Sequence, residues 1–160
     1  MLVGVDLGVL SRDARVIAAG RVVAVEPRWT SGRRTIETLV TLDVETYLKG
    51  SFGSTVQFVV PGGVMGRYRS IFIGAPEFAI DQRVIVFLGA RGPSVPYVLG
   101  LSQGVYRIVP ASGGGWMVTP PALLPTVEVS TPIVRGDASR RPLALADFER
   151  RVRALAGGVR

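Results

Sequence analysis

The chain has no cysteine and no histidine, and reading along it finds no asparagine. Zinc centres built on thiolates or imidazoles are thereby excluded. So are Ser-His-Asp and Cys-His nucleophile systems. Disulfides cannot form, although that alone does not assign a compartment. Without asparagine there is no N-glycosylation acceptor. Lysine is nearly absent: Lys49 is the one lysine among 19 basic residues, and the other 18 are arginine. Long apolar runs are missing as well. The longest, Val84 to Ala90, falls far short of the ~20 residues of a membrane-spanning helix.

What is present suits a folded domain. At 160 residues the chain fits one domain, or one with a short appendage. A chain of this size buries roughly 70% of the surface its unfolded form exposes, so no metal or disulfide is needed to hold a core. The net charge is +7. Residues 135–160 hold seven arginines against three acids, so +4 of that charge lies in the tail. The +3 left over residues 1–134 is not the footprint of a phosphate-binding face. The arginine-for-lysine skew, with abundant Gly, Ala and Val, also reads as GC-rich coding.

Strand patterns dominate. Val16 to Val25 is a run of small and β-branched residues interrupted by Gly20-Arg21. From Thr35 to Tyr47, Ile36, Thr38, Val40, Leu42 and Val44 alternate with Glu37, Leu39, Thr41, Asp43 and Glu45. Period two predicts a strand with one buried face. Its length predicts coiling of the barrel type. Further strands are expected over Thr55–Val60, Arg67–Ile73, Arg83–Leu88, Tyr97–Leu101, Val105–Val109 and Trp116–Thr119. Arg83–Leu88 is apolar on both faces and reads as central. The last strand is expected to form a hairpin with its predecessor across Ser112-Gly113-Gly114-Gly115. Thr126–Val134 adds a possible edge strand, since proline at 132 is tolerable there.

Two helices complete the reading. Val5 to Ser11 is expected to form a helical turn. Leu145, Phe148, Val152 and Leu155 form one apolar stripe at helical spacing, with acids early and arginines late. Asp147–Arg151 and Glu149–Arg153 pairs are expected along it. That helix either packs on the barrel or docks a partner, and packing is the favoured reading. The predicted organisation is a β-barrel domain over residues 1–134, then a linker and helix over residues 135–160. The fold class is mainly β: a Greek-key, oligonucleotide-binding-type barrel of five or more strands with a helix at each end.

Four groups of residues invite a chemical reading. Arg28, Trp29, Arg33 and Arg34 lie in the connection between the two best-defined strands. Such a loop can stack on bases or clasp an anionic partner. Its plain alternative is a hairpin with solvated arginines. Pro61 to Tyr68 is glycine-rich and ends Arg67-Tyr68-Arg69, but it lacks the Lys-Ser or Lys-Thr of a phosphate loop. It is expected to be a mobile contact loop. Glu37, Asp43 and Glu45 form a carboxylate row that reads as a solvated strand face, short of a calcium site or a glycosidase pair. Lys49 lies near Ser51 and Ser54, but a Ser–Lys dyad needs a buried lysine, and Lys49-Gly50 suggests a strand end.

In combination, Gly20-Arg21-Val22-Val23, the long alternating strand into Tyr47-Leu48-Lys49-Gly50, and Val86-Phe87-Leu88-Gly89 resemble the netrin-like domain shared with tissue inhibitors of metalloproteinases. Cysteine-free bacterial domains of that general kind are still more similar. The resemblance spans roughly residues 7 to 109. It implies a closed Greek-key barrel, a periplasmic or secreted setting and binding in place of catalysis. It does not carry the animal inhibitory mechanism, which presents an N-terminal cysteine. Met1-Leu2-Val3-Gly4 runs almost directly into folded-looking sequence, so no leader is read within the chain.

The expectation is a non-enzymatic module that binds another protein or joins a larger complex, without cofactor or metal. Its contact residues are Arg28, Trp29, Arg33, Arg34, Arg67 and Tyr68. The alternatives are a single-stranded nucleic-acid binder, a protease-inhibitor-like binder, and an enzyme using Ser, Lys or carboxylates.

Overall fold

The computed structural model of the chain describes residues 5–121 and 141–157. The strand expected over 126–134, and all but the last residue of the linker, lie outside that range. Helix α1 (Leu7–Asp13) opens the described structure. The Asp6 carboxylate caps it by accepting the Val9 N–H at 2.9 Å. Strands β1 (Val16–Trp29) and β2 (Ile36–Lys49) follow as a long antiparallel ribbon. β3 (Thr55–Pro61) pairs antiparallel with β2. The short hairpin β4 (Gly63–Met65) and β5 (Tyr68–Ser70) comes next, then β6 (Arg83–Gly89), β7 (Tyr97–Val98), β8 (Val105–Pro110) and β9 (Trp116–Thr119). β10 (Leu143–Ala144) and α2 (Leu145–Gly157) end the described chain.

Five strands close a ring. β2 and β3 extend from β1, β7 joins β3 to β6, and β6 returns to β1. Closure is antiparallel throughout except for the parallel bridge Val59–Tyr97. β8 adds to β6 beside the ring, and β9 and β10 extend the sheet outward.

β1 pairs with β2 along one edge and, over Val16–Arg21, with β6 along the other, and it coils as it does so. Its pairing with β2 slips at three places, between Ile17 and Ala18, Ala19 and Gly20, and Val22 and Ala24. Such bulges sharpen strand twist and let a ribbon bend into a barrel. Gly20 lies at one of these crossings. A Cβ there would run into the carbonyl of Asp43, so only glycine permits the approach.

The alternation along β1 and β6 fills two cores. Val16, Ala18, Val84, Val86 and Leu88 face the ring interior with Val40, Leu42 and Phe58. Ile17, Ala19, Ile85 and Phe87 point outward and are covered by α1 and α2, with Leu10, Tyr106, Phe148 and Val152. This double burial explains why β6 reads apolar on both faces. The apolar stripe of α2 therefore packs on the sheet: the Phe148 ring lies 4.9 Å from that of Tyr106. Along α2, Arg153 pairs with Glu149 at 3.7 Å as expected. Asp147 pairs with Arg150 at 3.1 Å, and not with Arg151.

Two strand expectations need correction. Strand structure over Arg67–Ile73 covers only Tyr68–Ser70, and over Tyr97–Leu101 only Tyr97–Val98. In the second, Gly100 adopts a left-handed φ of 64° that turns the chain into a short 3-10 helix, Leu101–Gly104.

Candidate interaction surface

The outer half of the β1–β2 ribbon carries most of the residues singled out from sequence. Pro27, Arg28 and Trp29 belong to β1 itself, paired with Thr38, Glu37 and Ile36. The connection is therefore shorter than the sequence suggests. Thr30 N–H donates to the Thr35 carbonyl at 2.9 Å, and the two threonine hydroxyls lie 2.9 Å apart. Between them Ser31–Arg33 make one 3-10 turn, with Gly32 at φ 80° and Arg33 at φ 52°. Arg33 and Arg34 are exposed at its tip, and among the described residues neither has an acidic partner.

The glycine-rich segment is a built hairpin, not the loose contact loop expected. Gly62 N–H donates to the Ile36 carbonyl at 3.0 Å, Thr38 Oγ1 donates to the Gly62 carbonyl at 2.8 Å, and Ile36 N–H donates to Ser70 Oγ at 2.9 Å. A Cβ at Gly63 would lie 2.8 Å from Thr38 Oγ1, and Gly63 holds φ 153°. Glycine is required because the hairpin lies directly against β2. Anchored there, Tyr68 meets Trp29 edge to face, with ring centroids 5.4 Å apart. Arg67 stacks over the Tyr68 ring at 5.3 Å, and its Nη2 donates to the Tyr68 hydroxyl at 3.3 Å.

Trp29, Arg33, Arg34, Arg67 and Tyr68 thus gather at one end of the molecule. Arg28 is engaged within the ribbon: its Nε donates to Glu37 Oε1 at 2.8 Å across the strand pair.

Sequence reading missed the apolar part of this end. Ile71, Phe72 and Ile73 follow β5 and are 76%, 55% and 79% exposed. Val64 on the hairpin is exposed too. The strand expected over Arg67–Ile73 takes in the three, but it ends at Ser70. Their neighbourhood includes a groove of ≈ 330 Å³ lined by Thr35, Ile36, Val59, Phe72 and Tyr97. A second groove, of ≈ 300 Å³, lies beside Val25, Thr38, Val64, Arg69 and Phe78.

The carboxylate row is dispersed. Glu37 is taken by Arg28. Glu45 sits where the register slips, and both its oxygens accept from Arg83, the Nε bond being 3.0 Å. That hydrogen bond is the main reason Arg83 is held even more firmly protonated than usual, against the opposing cost of burial. Arg83 also stacks over Trp116 at 4.3 Å. Asp43 is opposite Arg21 on one side and Thr55 on the other. Among the described residues no three acids gather as a metal site.

Lys49 has a structural use that its neighbours Ser51 and Ser54 did not suggest. Its Nζ donates to the carbonyls of Ser11 and Arg12 at 3.0 and 2.8 Å. These belong to the last turn of α1, where a cation satisfies otherwise unpaired carbonyls. Among the described residues no helix is long and apolar enough to cross a membrane. Comparison with family models, curated proteins and solved structures finds no match to this chain.

Proposed function

We propose that the chain is a non-enzymatic protein-interaction module built on an oligonucleotide-binding-type barrel, in the extracytoplasmic setting that the netrin-like resemblance implies. The ring order supports the barrel reading. Strands β1, β2 and β3 form a meander, β6 returns to β1, and β7 closes against β3 in parallel. Barrels of that type bind ligands on the face of their second and third strands and the adjoining loops.

Here that face presents the cross-strand pairs Leu39–Val59, Thr41–Gln57 and Asp43–Thr55, with Tyr97 beside Val59. None of these positions carries a basic side chain, while Asp43 is exposed. A single-stranded nucleic acid would need a cationic track with stacking platforms there. A protein segment needs what is present: half-buried apolar strand positions and a concavity. The observation that carries the reading is the apolar groove of ≈ 330 Å³ between Ile36, Val59, Phe72 and Tyr97.

The test is affinity isolation with the wild-type chain and with Val59→Arg as baits. One partner should bind the wild type and lose roughly tenfold or more in affinity with the variant. Equal capture by both, or salt-dependent oligonucleotide binding that Val59→Arg leaves intact, would overturn the reading.

A further inference from the structure

Beyond that reading, and at the exposed border of the same groove, we infer that the tip formed by Ile71, Phe72 and Ile73 docks on an anionic lipid bilayer. Three consecutive large apolar side chains are 76%, 55% and 79% exposed. A soluble protein seldom leaves such a run in water without a binding reason. Ile71 and Phe72 line both of the grooves at this end. Val64, on the adjoining hairpin, adds to the same apolar surface.

Charge around the tip selects the occupant. Arg69 lies on β5, paired with Val64 and two residues before Ile71. Arg67 begins the same hairpin limb and covers Tyr68. Arg33 and Arg34 top the Thr30–Thr35 turn, and both threonines line a groove with Ile71 and Phe72. All four guanidiniums are exposed and, among the described residues, none meets a carboxylate. Arg28, the fifth at this end, is neutralised by Glu37. Two acids border the tip: Glu37, held by Arg28, and Glu77, which is exposed and lines a groove with Arg69, Ile71 and Phe72 without an ion pair to Arg69.

Apolar side chains that protrude, set among unpaired arginines, suit a surface with anionic headgroups over hydrocarbon. Isoleucine and phenylalanine enter the acyl boundary while the guanidiniums hold phosphates. The Trp29–Tyr68 pair supplies amphipathic rings of the kind enriched at that boundary. A protein partner needs a concave or complementary surface, and Ile73, 79% exposed, lines neither of the two grooves. A bilayer requires no such complementarity.

Vesicle sedimentation tests this with the whole chain. Vesicles of phosphatidylcholine alone are compared with equal parts phosphatidylcholine and phosphatidylglycerol. The chain should sediment with the anionic vesicles and stay in solution with the neutral ones. Ile71→Ser with Ile73→Ser should weaken binding by roughly tenfold or more per side chain. Arg67→Ala and Arg69→Ala should each weaken it by about fivefold. With Trp116→Phe leaving Trp29 as the reporter, tryptophan emission should shift to the blue on binding.

Three results would overturn the proposal: no sedimentation with anionic vesicles at low salt, binding that ignores the isoleucine pair, or equal losses from Arg150→Ala and Arg153→Ala on α2. The side chains replaced at the tip are exposed, and an unchanged circular-dichroism melt confirms that each variant is folded. Ile73→Ser alone separates the two readings: Ile73 lines neither groove, so this change should weaken vesicle binding and leave protein capture unchanged.

Discussion

The two ends of the molecule treat apolar residues in opposite ways. Under the helices, the outward side chains of β1 and β6 are sealed: Ile17, Ile85 and Phe87 are all 0% exposed. At the ribbon end, Ile71 and Ile73 are more than three-quarters exposed, on a segment held by its neighbours' backbone hydrogen bonds. Equivalent chemistry thus serves stability in one place and is left free in the other. The hydrophobic effect rewards burial of roughly 25 cal/mol per Å² wherever it occurs. An end that forgoes that gain on folding can recover it on binding.

The sharpest way to test this contrast is to cut the sealed side. Phe148→Ala removes a 3% exposed ring that touches Tyr106. It should cost about 3–5 kcal/mol by urea denaturation, because the helix cannot collapse onto the gap. A loss below about 1 kcal/mol would mean that α2 contributes little to the second core.

Gly20→Ala comes next. The added Cβ would strike the Asp43 carbonyl, which is backbone and cannot rotate away. Overpacking at that crossing should cost about 1–3 kcal/mol, read from the same denaturation midpoint. Little effect would show that the β1–β2 ribbon can uncoil at this point without loss.

How far the sequence discloses these features depends on their range. Local periodicity is visible: alternation in β2, double-sided apolarity in β6 and the α2 stripe all translate directly into burial. Phase slips are not visible, since a bulge adds one residue without changing composition. Leu48 shares even numbering with Leu42, yet it joins the core under the helices while Leu42 faces the ring interior. Hairpin β4–β5 was hidden for another reason. Isoleucine and phenylalanine at 71–73 have strand propensity, and the glycines that end the preceding strand act through a contact with Thr38 and Ile36 that lies far along the chain. The meeting of Trp29 with Tyr68 likewise joins two segments that sequence reading could name and could not bring together.

Lys49→Met probes the joint between α1 and the ribbon. It removes two bonds to helix-terminal carbonyls while keeping the aliphatic stem. A loss of about 1 kcal/mol is expected. No change would assign those carbonyls to water.

The sealed side also has a pH signature. Burial raises the Tyr106 hydroxyl above its ordinary 10.0, with Arg151 opposing and Asp6 reinforcing that shift. The folded state therefore favours the neutral phenol more than the unfolded state does. The resulting stability is complete below pH 10.0 and is lost as pH rises through the folded value. Denaturation midpoints measured on the alkaline side should fall more steeply for the wild type than for Tyr106→Phe. Parallel curves would place the hydroxyl in contact with solvent.

The smallest expected effect is the most discriminating. Ile71→Ser with Ile73→Ser removes more apolar surface than Phe148→Ala does, yet it should move stability by no more than about 0.5 kcal/mol, the range of ordinary surface substitutions. These side chains are exposed in the folded chain at 76% and 79%, so folding withdraws little of them from water. The serine pair also lowers the apolar character of the unfolded chain, which makes a slight stabilisation as acceptable as a slight loss. A destabilisation beyond 1–2 kcal/mol, about that of a buried methyl or two, would place the segment against the barrel in solution. The tip would then belong with the sealed side, and the contrast between the two ends would disappear.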